Sequence, residues 1–297
     1  MHRSPLRGIQ TRHGSRLQGS RTLAVCAVLA VLAMPSLTAQ DDKEPAKPDA
    51  AAIVDAVTHL GAGLRTIRYS ASGTVHVAEP GTPLSWTRID AHRYDVAIDY
   101  PMTAMRIDIA AGNGTTSVAS QARPPVPSLV QLVSGNVAWN LLMTPELAVA
   151  QAASRRSPRA PLPEPATELR PDAVLERRLA IWISPHGFLK AALSNQPALR
   201  PAGSGTDVSF YARQQRYVGF INSKHEVERV RTWVAEPDGG QTVIDTLYTH
   251  YAPFGTTQFP TRIVQRRGVE PTLDLTVNAV QTNLPVDIVH PPLGTRR

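Results

Sequence analysis

The chain has 297 residues, with 31 Lys and Arg against 24 Asp and Glu, a formal net charge of +7, one cysteine and 42% hydrophobic residues. One cysteine excludes a disulfide-stapled scaffold and any cysteine-rich zinc site, and a charged fraction of 19% excludes a mostly disordered chain. The length suits one large domain or two small ones, and the positive balance raises nucleic acid as a partner, to be judged by where the charge sits.

The chain opens on a leader. Arg3, Arg7, Arg12, Arg16 and Arg21 precede the apolar run Thr22 to Met34, and no acid stands among them. Pro35 breaks the run, and Ser36-Leu37-Thr38-Ala39 follows. A basic region, a short apolar core and a small residue before a polar stretch form the secretory pattern, with cleavage expected after Ala39. The run is too short for a membrane span, which needs about 20 residues; an uncleaved N-terminal anchor is the rival reading. Taking the five leader arginines from the 31 bases leaves 26 against 24 acids, a net charge of about +2. Cys26 leaves with the leader, so the exported chain has no thiol, which suits a periplasm or the cell exterior.

Residues 40–50 are charged, Pro-containing and read as a flexible lead-in. Ile53, Val57, Leu60 and Leu64 recur at helical spacing, with Asp49 placed to cap the start. Strand texture follows over 67–77, 86–98 and 102–109, with turns at 79–83 and 112–114. Asn113-Gly114-Thr115 is also a glycosylation sequon, but the hairpin turn is the better reading. The stretch 115–128 is poorly periodic, and 129–142 recovers apolar character. Residues 154–171 hold five prolines and six charged groups and read as an exposed loop.

Residues 172–183 form a helix on Leu175, Leu179 and Ile183. Ser184 then caps a second helix that has Pro185 at its first position and runs through Phe188, Leu189 and Leu193. Beyond 207 the chain is almost all strand: 207–213, 216–222, 227–235, 241–251, 258–266 and 272–280. Pro237-Asp238-Gly239-Gly240 is the clearest turn among them. Leu273, Leu275 and Val277 alternate with Asp274, Thr276 and Asn278, as in an antiparallel sheet with one covered face. The fold class is α+β: a large curved antiparallel sheet, a half-open barrel of roughly ten strands, with an N-terminal helix and inserted helices that can plug its concave side. Residues 51–285 make one domain, and 286–297 are a tail or the start of a linker.

No cluster declares a reaction. The seven histidines beyond the leader stand at least 15 residues apart and form no metal-ligand spacing. No G-x-S-x-G elbow occurs, and no glycine-rich loop joins a strand to a helix. Asp90, Asp95, Asp99 and Asp108 lie in neighbouring strands but read as solvated-face acids rather than a catalytic pair. Arg155-Arg156, Arg177-Arg178, Arg266-Arg267 and Arg296-Arg297 are scattered, so the basic footprint of a nucleic-acid binder is missing. No catalytic residue, metal ligand or cofactor site is assigned. What remains is an apolar ligand, a lipid or similar small molecule, in the concave face of the sheet. Trp86, Trp139, Trp182, Phe188 and Trp233 are the residues expected to line it, against the alternative that they simply pack the core.

Five phrases carry a resemblance: Ile67 to Thr74 (IRYSASGT), Gln131 to Asn140 (QLVSGNVAWN), Ile183 to Ala192 (ISPHGFLKAA), Val227 to Val234 (VERVRTWV) and Phe259 to Gln265 (FPTRIVQ). Together they resemble the N-terminal region of secreted bacterial proteins whose second half is a metallo-β-lactamase-fold hydrolase. The resemblance covers about residues 65–285. It implies an accessory half that accompanies a hydrolase domain, or a fragment lacking its zinc-bearing part. This sequence holds no H-x-H-x-D-H motif, so no catalytic residue carries over. The order of elements is also similar to that of the periplasmic lipoprotein carriers, which implies an unclosed barrel with an apolar cavity. A purely structural partner-binding domain is the third reading.

Overall fold

The computed structural model describes residues 50–78, 86–111, 129–142, 166–236 and 239–288. The chain begins with helix α1 (Ala51–Gly61) and continues into β1 (Thr66–Ala78), β2 (Trp86–Asp99), β3 (Ala104–Ala111), β4 (Leu129–Ser134), β5 (Val137–Leu142) and β6 (Ala166–Leu169). A 3-10 turn (Pro171–Ala173) leads into α2 (Val174–Ile183) and α3 (Pro185–Ser194). The meander β7 (Ala198–Ala202), β8 (Gly205–Ala212), β9 (Gln215–Ile221), β10 (Val227–Ala235), β11 (Gln241–Phe254), β12 (Thr257–Arg267) and β13 (Glu270–Thr282) completes it.

All described strands join one antiparallel sheet in the order β6-β5-β4-β3-β2-β1-β13-β12-β11-β10-β9-β8-β7. The expected α+β class with one large antiparallel sheet is what the chain forms. Among the described residues the count is thirteen strands rather than roughly ten, because β6 and β7 carry no alternating pattern and β4 and β5 lie in a run apolar on both faces. Residues 166–169, expected in a loop, pair with β5 instead. The expected Asp49 cap and the turns at 79–83 and 112–114 lie outside the described residues. Helix α1 starts after Ala50 with no side-chain cap bond.

Strands β1 and β13, the first and last described, pair at the middle of the sheet and join its two limbs. Asn283 latches this seam: its amide N–H donates to Thr66 O, and its side-chain oxygen accepts from Arg65 N at 2.8 Å. β1 is bulged against both partners, at Ser70/Ala71 and at Ala71/Gly73. A bulge bends its strand and sharpens the local twist. Gly73 sits there with φ +147°, where a Cβ would come within 2.1 Å of Asp274 O, so only glycine lets the strands approach this closely.

The curvature can be measured by what one helix touches. Helix α2 contacts β3, β4 and β5 on one limb and β10 on the other. From β3 to β10 are six inter-strand steps of roughly 4.8 Å, about 29 Å along a flat sheet. A helix with its side chains is only about 10–12 Å across, so the sheet curls around it. Helix α3 packs on β8 and β10, and α1 packs on α3, β12 and β9. The three described helices therefore fill the concave side, where α1 contributes Ile53, Ala56 and Leu60 to the continuous core.

The opposite face is polar and salt-bridged. Arg88–Asp90, Arg93–Asp95 and Arg106–Asp108 pair two residues apart along one strand face, and Asp99 accepts from Met102 N. These acids are thus held by arginines or a backbone amide. Beyond β13, residues 283–288 continue onto this outer face, where an Arg68 guanidinium nitrogen donates to Pro285 O. Ile288 packs on a satellite cluster of Val130, Leu132, Trp139 and Leu141.

Candidate functional site

The concave face encloses a cavity of about 400 Å³ between the sheet and α2. Its walls are aliphatic: Val75 from β1, Met105, Ile107 and Ile109 from β3, and Leu129 and Leu142 from β4 and β5. Leu179, Ala180 and Ile183 of α2 close the other side, and Ile244 and Leu273 reach it from the far limb. A smaller chamber of about 50 Å³ shares Tyr94, Met105, Ile107, Ala180 and Ile183 with it and extends toward Tyr69, Tyr248 and Phe259. The polar groups of the larger cavity, His76, Gln131, Asn140, Glu168, Glu176 and Arg177 among them, come from the strands and from the first turn of α2. The arrangement is a hollow with an aliphatic wall and a polar margin, and its volume lies within the roughly 300–1,000 Å³ range of small-molecule sites.

The wall formed by α2 is fixed by directional bonds at both ends. Near its start, the buried Arg177 donates to Leu132 O at 2.9 Å, Trp139 O at 2.7 Å and Asn140 Oδ1 at 2.6 Å. Burial, with the Arg170 charge second, lowers its pKa to about 10, so it stays a cation at neutral pH. At its end, the two limbs meet at the α2–α3 corner. Tyr248 OH donates to Ile183 O at 2.6 Å from β11. Tyr100 OH lies 3.1 Å from Ser184 Oγ at the end of β2. Ser184 Oγ commits its own proton to Ile181 O at 2.6 Å, so Tyr100 is the donor. The same Oγ accepts from Gly187 N at 3.2 Å, which makes the expected N-cap of α3 real. Burial pushes both tyrosine pKa values far up, so the phenols stay protonated and able to donate.

His186 ties the helices together. Its Nε2 lies 2.9 Å from Leu60 O of α1, and a carbonyl can only accept, so the ring is the neutral Nε2–H tautomer. Nδ1 is enclosed without a partner. Burial lowers the pKa to about 4.

The aromatic residues expected to line the hollow are distributed differently. Trp182 is half-buried and lines a separate cleft on another face of α2. Phe188 is completely buried, with its ring against Gly219 and Phe210. Trp139 is buried in the outer cluster with Val130, Leu132 and Leu141, on the face opposite Val133 and Ala138. Trp233 alternates out of step with the buried Val230, Thr232 and Val234, and the Arg216 guanidinium stacks 4.7 Å from its ring. Trp86 begins β2, but its side chain is outside the described residues. None of the four with described side chains lines the 400 Å³ cavity. Its true lining is the alternating aliphatic set of β3, which the period-two pattern of Met105, Ile107 and Ile109 did mark.

Among the described residues no group of three His, Cys, Asp or Glu side chains could hold a metal ion. No helix among them is long and apolar enough to cross a membrane. Residues 1–39 of the expected leader are outside the described residues.

No family model matches the chain, and no curated protein matches it. Among solved structures it is similar to the LolA superfamily protein NE2245 from Nitrosomonas europaea, at 12% identity and a TM-score of 0.43, covering 80% of this chain and 94% of that one.

Proposed function

We propose that this protein is an exported, non-catalytic carrier that holds an apolar chain, such as the acyl tail of a lipid, between the concave face of its sheet and α2. The observation that supports this most directly is the aliphatic hollow of about 400 Å³ with its inner chamber. Burying such walls against one another would be favourable at roughly 25 cal/mol per Å², yet the space is left open. The Arg177, Tyr100 and Tyr248 bonds hold α2 and its corner against both limbs, which keeps the hollow from collapsing. An apolar chain entering it removes its own surface from water without first opening the core. Export rests on the leader pattern of residues 1–39, and the accessory role beside a hydrolase rests on the five sequence phrases alone.

The test uses the purified protein and 1-N-phenylnaphthylamine, whose fluorescence rises on leaving water. Wild type is expected to enhance it saturably. Ile107→Trp fills the hollow and is expected to reduce the enhancement at least tenfold while far-UV circular dichroism stays unchanged. A folded Ile107→Trp protein that binds the probe as well as wild type would refute the assignment.

A further inference from the structure

A second cavity, of about 450 Å³, lies on another face of α2. It is bounded by the β2–β3 turn, the β8–β9 turn, α2 and α3, and it shares with the first hollow only Leu179. Its apolar wall is Tyr100, Trp182 and Tyr217 with Leu175 and Leu179. Leu175 is 53% exposed.

Among the described residues the charged groups of the cleft are all cations: Arg178, Lys190 and Arg213 line it, and no Asp or Glu does. Several arginines elsewhere face carboxylates, as at Arg88–Asp90, Arg106–Asp108, Arg170–Asp172, Arg229–Asp245 and Arg262–Asp274. Arg178 instead donates to a neutral amide, Asn136 Oδ1, at 2.9 Å, and its Nε is enclosed with no partner. Lys190 Nζ sits 5.6 Å from the centre of the Tyr100 ring, a contact with a π face rather than an anion. Burial lowers the Lys190 pKa, the direction expected of an ammonium short of counter-charge.

We propose that this cleft is a separate binding site for a monoanionic amphiphile, with the apolar body against Trp182, Tyr217 and Leu175 and a carboxylate head between Lys190 and Arg178. Such a head supplies the charge that the cleft lacks. Arg213, on the exposed β8–β9 turn, adds attraction at the entrance. The site differs from the hollow in what it selects: the hollow takes apolar chains whatever their head, and the cleft requires the anion.

The test compares decanoate, decanol and decyltrimethylammonium by calorimetry and by tryptophan fluorescence, with Ile107→Trp as background so that the hollow is blocked. Decanoate is expected to bind, the alcohol at least tenfold more weakly and the cation not at all. Lys190→Gln is expected to weaken decanoate about tenfold, the loss of one charge-assisted bond, and Lys190→Arg to restore it. Raising the salt concentration should weaken decanoate and leave decanol unchanged. Trp182→Phe should remove the fluorescence response without removing binding heat. Equal binding of decanoate and decanol, or decanoate affinity unchanged in Lys190→Gln, would overturn the site. Loss of all decanoate binding on Ile107→Trp alone would overturn it too, by assigning the ligand to the hollow, whose own test with the neutral probe stands apart.

Discussion

At the scale of single residues, the molecule depends on a few side chains with no latitude. His186 is the clearest. Its folded pKa of about 4 lies below the usual value near 6.5. Between those limits the unfolded chain takes up a proton that the folded chain refuses, so stability is complete above pH 6.5 and falls as the pH drops toward 4. The loss amounts to about 3 kcal/mol. His186→Gln keeps an N–H donor for Leu60 O, and urea midpoints measured from pH 7 to pH 4 should fall less for it than for wild type. Gly219 is equally constrained. A Cβ there would meet the Phe188 ring at 2.4 Å, so Gly219→Ala should cost about 1–3 kcal/mol by overpacking. Adding Phe188→Leu should cost less than the sum of the two single changes, as denaturant melts of the four proteins will show. The sequence marks His186 only as an isolated histidine, since burial under α1 comes from a contact 126 residues away. Trp233 was expected to line the hollow, although it shares a strand face with Arg229 and Arg231 and period two alone puts it outside. Trp139 was not legible, because β5 is buried on both faces and alternation then carries no direction.

At the scale of elements, the N-cap at Ser184 was legible from the Ser-Pro pair, but its second role was not. The hydroxyl also receives the Tyr100 proton and thus joins a helix corner to the end of β2. Ser184→Ala should therefore cost more than the roughly 1 kcal/mol of an ordinary cap, because a buried phenol is left without its acceptor. Thermal unfolding should show a fall of several degrees, given about 2–4 °C per kcal/mol for a domain of this size, and Ser184→Thr should recover most of it. The strand over 227–235 follows its sequence pattern closely toward its end, since Arg229, Arg231 and Trp233 alternate with the buried Val230, Thr232 and Val234. β6 and β7 escape such reading, because four or five residues at a sheet margin bury too little on either face to show a period.

At the scale of the whole molecule, the organising fact is the seam between β1 and β13. Its strands are about 200 positions apart in the chain, so the sheet can close its middle only after the rest has been made. Ending the chain after Gly268 removes β13, bares β1 and β12 and should leave neither limb folded. Far-UV circular dichroism without a cooperative transition is the expected result, and a cooperative melt in the shortened chain would show the limbs to be independent. None of this topology is visible in local sequence, which reports faces and turns but not which distant strands become neighbours. The curl of the sheet, by contrast, follows from strand number: a twisted sheet this wide cannot stay flat.

Among the described strands the sheet is not sealed, and β6 and β7 lie at its two margins. A margin exposes unpaired peptide groups that can recruit a strand from another molecule, which is how open sheets polymerise. Here both margins are poor templates. β6 is four residues long, and β7 is five with Pro201, which has no N–H to offer, beside the charged Arg200. A closed barrel needs no such protection but cannot part around a guest. This chain retains an opening, and its two blunt margins keep that opening from becoming a route to aggregation.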